Sequence, residues 1–86
     1  MRFSMSVEAV SSINQVTVYV RLLGEGTEVF RPSPAVALGE GVFRLIQPGD
    51  YDPEDEEWEF VPDSLVKTAP RQGTSGTYLV ATSLAQ

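Results

Sequence analysis
The chain contains neither cysteine nor histidine. Without cysteine, disulfides and thiolate metal sites are excluded. Without histidine, the commonest metal ligand and the commonest general base are missing. Long apolar runs are also lacking, so no segment reads as a membrane span. Lysine and arginine together number six. They are scattered, and a phosphate-binding surface needs them clustered. The N-terminal stretch MRFSMSVEAVSS has one arginine and no continuous apolar core, which does not fit a secretory signal. The expectation is a cytoplasmic protein with no cofactor, no membrane contact and no direct contact with nucleic acid.

What the chain has in excess is acid, and in one place. Seven of its twelve acidic residues lie between Asp50 and Glu59, in the run DYDPEDEEWE, which no lysine or arginine interrupts. Five acids and six bases make up the remainder, so the net charge of −6 describes one segment. Asp52-Pro53-Glu54-Asp55 has the form of a helix start, with aspartate as cap and proline in the first turn. Only one helical turn fits there before Trp58-Glu59-Phe60-Val61 returns to an extended pattern.

Eighty-six residues make one domain. Period-two alternation of β-branched and aromatic residues dominates it. Val16, Val18, Val20 and Leu22 share one face of a strand spanning Gln15 to Leu23, and Thr17, Tyr19 and Arg21 the other. A second extended segment covers Glu28 to Arg31. Pro32 and Pro34 each lack a backbone donor, so the stretch between them is an edge, a bulge or a bend. Ala35–Leu38 and Val42–Ile46 flank Gly39-Glu40-Gly41. A two-residue turn there pairs Leu38 with Phe43 and Val36 with Leu45, placing all four on one face. A three-residue loop would pair Ala37 with Phe43 and split that set. Val18, Val20, Leu38, Phe43 and Leu45 are therefore the predicted core. LGEG occurs at both Leu23 and Leu38, one turn chemistry used twice. Leu65–Thr68 reads as a short strand, Ala69–Gly76 as a flexible linker and Thr77–Leu84 as a last strand.

In domain terms, residues 1–14 form an N-terminal arm or extra strand. Residues 15–69 form the barrel core, and 70–86 a linker with room for a C-terminal strand. The arm alternates as well, with Phe3, Met5, Val7 and Ala9 on one side. Such terminal strands offer edges through which the chain could form a homo-oligomer.

The segments LLGEGTEVFRP (Leu22 to Pro32) and PEDEEWEFVPDSLV (Pro53 to Val66) resemble a family of small uncharacterised bacterial proteins. Its pattern is close to LLDEGTxVWRP followed by DEEWEFxPGxxV. Phe30 stands where that pattern has tryptophan, and Asp63 where glycine is frequent, so a glycine-dependent turn is in question at Asp63. The family implies a fold and no mechanism. The order of short strands and a prolyl turn also resembles a Src-homology-3-like (SH3-like) small β-barrel of the Tudor or KOW kind. The fold class expected is all-β, with short hairpins and at most one helical turn.

No G-x-S-x-G, phosphate-loop or dinucleotide fingerprint is present. An exposed acidic loop does not separate the pKa values of two carboxylates as acid–base catalysis requires. Asp50, Asp52 and Glu54 alternate as calcium ligands do, but the glycine needed at the sixth loop position is Asp55. The expectation is thus no enzyme and no dedicated metal site. Aromatics beside an acidic loop suit arginine- or lysine-bearing peptides. The candidate partner-binding residues are Tyr19, Asp50, Tyr51, Asp52, Glu54, Asp55, Glu56 and Glu57, the loop carboxylates being read as solvated. Trp58 and Phe30 are assigned to a second small core or to rim packing, and Arg21, Arg31 and Arg44 to outward positions facing the loop. The function expected is a non-enzymatic interaction module for a basic protein surface or peptide. The alternative is an acidic inhibitor or immunity-type protein that mimics nucleic acid.

Overall fold
The computed structural model describes residues 15–85. The N-terminal arm lies outside the described residues. Five strands follow in order: β1 (Gln15–Arg21), β2 (Phe30–Gly39), β3 (Val42–Leu45), β4 (Leu65–Gly73) and β5 (Gly76–Leu84). They close into a barrel in sequence order, with antiparallel neighbours throughout except the β1–β5 seam, which is parallel. The protein is thus a small all-β barrel, consistent with the SH3-like class. The seam is short, pairing Val18 with Leu79 and Tyr19 with Val80.

Alternation in β1 is realised as the pattern requires. Val18 and Val20 are fully buried, Val16 and Leu22 pack against the core, and Thr17 and Arg21 are exposed. Ala35, Leu45, Trp58, Val66 and Ala81 complete the buried cluster.

Strand β2 passes through both prolines without a break. The bond from Leu22 N–H to the Val29 carbonyl, at 2.8 Å, sets the phase of the β1–β2 ladder. Pro32 and Pro34 face Tyr19 and Thr17 at the non-hydrogen-bonded positions of that ladder. Their nitrogens therefore point to the other side, where β3 does not reach, because its pairs with β2 begin at Ala35. On that side Ile46 N–H donates to the Pro34 carbonyl at 2.8 Å, but Pro34 has no N–H to return. The buried Ser33 hydroxyl fills the gap, lying 3.2 Å from the Ile46 carbonyl and 3.0 Å from that of Pro34. A buried carbonyl left without a donor would be costly.

The β2–β3 hairpin corrects the expected register. Glu40 and Gly41 both have positive φ (57° and 77°), as a two-residue type I′ turn demands. A bulge between Ala37 and Gly39 then ejects Leu38, which is 50% exposed. Ala37 consequently faces Phe43, and Ala35 faces Leu45. Phe43 is half-buried against the core, and Val36 lies opposite exposed Arg44. The physical reason is volume. Ser33, Ala35 and Ala37 form a small-residue row across from Leu45 and Phe43, and a narrow barrel fills its interior by setting small side chains against large ones. The other LGEG copy belongs to a longer β1–β2 loop.

Two further expectations are corrected. Ala69–Gly76 is no linker: β4 runs to Gly73 and turns through Thr74-Ser75 into β5. Trp58–Val61 is not a strand, since only an isolated Leu22–Trp58 bridge forms there. Asp63 has φ 74°, so the turn keeps the left-handed geometry that glycine would favour. Its N–H donates to the Leu45 carbonyl at 2.7 Å, which ties the turn to the core.

Candidate functional site
The segment between β3 and β4 folds over one mouth of the barrel. Asp52 starts a hydrogen-bonded turn there, as its sequence suggests. Its side-chain Oδ1 accepts from Glu54 N–H, and its carbonyl accepts from Asp55 and Glu56 N–H, each at 3.0 Å. The turn does not extend into a helix. Beyond it the chain is bound to the end of β1. Leu23 N–H donates to the Glu57 carbonyl at 2.7 Å, and Glu59 N–H to the Arg21 carbonyl at 2.9 Å. Trp58, bridged to Leu22 between these bonds, is buried. The end of β1 and the segment around Trp58 are thus joined edge to edge.

Arg31 is the centre of this arrangement, and it does not face outward. It lies opposite Val20, on the inward side of β2 shared by Ser33 and Ala35. Its guanidinium reaches the barrel mouth, where it pairs with Asp50 and stands 3.6 Å from Glu56 Oε1. The same Glu56 oxygen accepts from the Trp58 indole N–H at 2.9 Å. Glu56 is therefore not a solvated member of the acidic run. Its carboxylate is held between an indole and a guanidinium. Tyr51, expected at the surface, is half-buried and meets the Trp58 ring edge-on, with centroids 5.0 Å apart and planes at 75°.

The expected site thus divides. Asp50, Tyr51 and Glu56 hold the loop down. Asp52, Glu54, Asp55 and Glu57, with Glu59, remain exposed on it. Tyr19 is not brought to the loop. It projects from the outer wall, where its ring meets Tyr78 edge-on at 5.1 Å and 71°. These two rings, Phe30 and the β4–β5 turn from Gly73 to Thr77 line an open cleft of about 460 Å³. Phe30, assigned to core or rim packing, lies opposite Arg21 on the outward side of β2, and the Arg71 guanidinium sits 5.4 Å from its ring centroid. Arg71 also stands 3.7 Å from Glu28. Sequence reasoning missed Tyr78 and Arg71. The alternation Tyr78-Val80 marks a strand face, but the hairpin and the β1–β5 seam are needed to bring that face beside Tyr19.

Among the described residues, no group of three or more acids is arranged to hold a metal ion. No described helix is long and apolar enough to cross a membrane. Comparison of the chain with family models, curated proteins and solved structures returns no match.

Proposed function
We propose that the protein is a non-enzymatic interaction module that docks a basic protein surface against the acidic loop. The observation that carries this reading is the way the loop is held. Arg31, Trp58 and the two backbone bonds to Arg21 and Leu23 fasten it to the barrel, while Glu54, Asp55 and Glu57 stay exposed. A fastened loop presents its charge in a fixed arrangement, so a partner meets a preorganised surface with little ordering cost. Exposed rim carboxylates act chiefly on encounter, through long-range attraction that salt screens.

The test is the triple variant Glu54→Lys, Asp55→Lys and Glu57→Lys, with Glu56 retained. A partner captured from native lysate by the parent chain should associate at least about tenfold more slowly with the variant at low salt. The parent's rate should itself fall as salt rises. Thermal melts of the two proteins should be nearly superimposable, because surface substitutions usually shift stability by about 0.5 kcal/mol or less. Equal association rates at every salt concentration would remove the acidic loop from the interface.

A further inference from the structure
We infer that the cleft on the outer wall is a seat for an arginine side chain of the partner, and that Arg71 occupies part of this seat in the free protein. The inference deepens the proposed docking of a basic partner, and rests on it for the origin of the arginine. Three observations carry it. First, aromatic residues are few in a chain with only eight of them. Trp58, Tyr51, Phe43 and Phe60 belong to or pack against the core, whereas Tyr19, Phe30 and Tyr78 are spent on the outer wall, where they line a cleft. Second, the cleft is built. Tyr19 and Tyr78 fix each other edge-to-face, and Gly73 makes room for the Tyr78 ring. A Cβ at Gly73 would come within 3.0 Å of Tyr78 Cε1 and 3.2 Å of Cδ1. Third, a guanidinium already lies against one of the rings that line it. Arg71 is near the Phe30 ring and faces Glu28, the combination of π-surface and carboxylate that recognises an arginine.

Arg71 holds its place weakly. Its side chain is 45% exposed and its carboxylate partner 53%, at 3.7 Å. Exposed pairs of this kind contribute little, so an incoming guanidinium can displace it. Arg71 would then act as a placeholder that lowers apparent affinity until a partner arginine takes Glu28 and the Phe30 face. The Glu28 carboxylate beside the Phe30 face favours a cationic occupant over a single-stranded nucleic acid, whose bases could also stack on exposed rings.

The probe is the capped peptide Gly-Gly-Arg-Gly-Gly, with its neutral citrulline isostere as control, titrated against the full chain by NMR. Signals of Tyr19, Phe30 and Tyr78 should move with the arginine peptide and not with the citrulline one. Arg71→Gln should bind the arginine peptide about 3- to 10-fold more tightly than the parent. Gly73→Ala, which pushes the Tyr78 ring aside while keeping every ring and charge, should bind it more weakly. The acidic-loop triple variant should bind this short peptide as the parent does, which separates the cleft from the docking loop. Unchanged or weaker binding by Arg71→Gln would overturn the inference. So would shifts confined to the acidic loop, equal binding of the citrulline peptide, or ring shifts produced by oligothymidylate and not by the arginine peptide.

Discussion

Arg31 and Arg71 stand in two regions made of the same components, an arginine, a carboxylate and aromatic rings, yet the regions differ in what they do. At the barrel mouth the Arg31 side chain is 21% exposed; of its two carboxylate partners Glu56 is 28% exposed and Asp50 76%. The Nε of Arg31 is buried without a hydrogen-bond acceptor of its own. On the outer wall Arg71 and Glu28 are 45% and 53% exposed. Water competes freely for Arg71–Glu28, as it does for Asp50, and poorly for Arg31–Glu56. A charge pair with restricted access to water is costly to leave half-made, whereas a solvated pair can be exchanged. The mouth therefore acts as a clasp, and the wall as a surface open to substitution.

The sharpest test of this difference begins at the mouth. Trp58→Ala removes a buried ring that both packs in the core and orients Glu56. It should cost about 3–5 kcal/mol, enough to unfold a small domain, and a denaturant melt reads this directly. Arg31→Met keeps much of the side-chain volume but leaves the half-buried Glu56 carboxylate without its cation. A loss of about 1–3 kcal/mol is expected. Adding Glu56→Gln to it should recover part of that loss, because the amide oxygen still accepts from Trp58. On the wall the effects should be smaller. Tyr78→Ala gives up one edge-to-face pair and should cost about 0.5–1.5 kcal/mol. A wall variant as damaging as Arg31→Met would erase the distinction between clasp and open surface.

Much of the barrel is legible in its residues. The alternation in β1 identified Val18 and Val20 as core, and glycine marked the β2–β3 turn. The register of that hairpin was not legible. Pairing Leu38 with Phe43 maximises apolar contact between two strands considered alone. The barrel instead needs a row of small residues opposite Phe43 and Leu45, and the bulge at Leu38 supplies it. The prolines show a related point. Pro32 and Pro34 read as an edge, a bulge or a bend and Pro70 as linker; all three lie within strands. Pro32 and Pro34 lie ahead of the first β2–β3 pair, and Pro70 lies beyond the last β3–β4 pair. A missing N–H is tolerated where no neighbouring strand asks for it, or where a side chain replaces it as Ser33 does beside Pro34, and it also blunts the edge against pairing with another chain.

The candidate site was legible as composition and not as arrangement. The acidic run and the outward direction of Tyr19 follow from local order, because charge density and period-two alternation are properties of consecutive residues. Those same local properties settle the all-β class. They cannot say that Arg31 points inward, that Glu56 is withdrawn from the acidic face, or that Tyr19 meets Tyr78 instead of Tyr51. Each of these depends on which strand lies beside which, and at what offset. Barrel closure brings residues far apart in the chain into contact. The burial it creates then decides which arginine is clasped and which is left exchangeable.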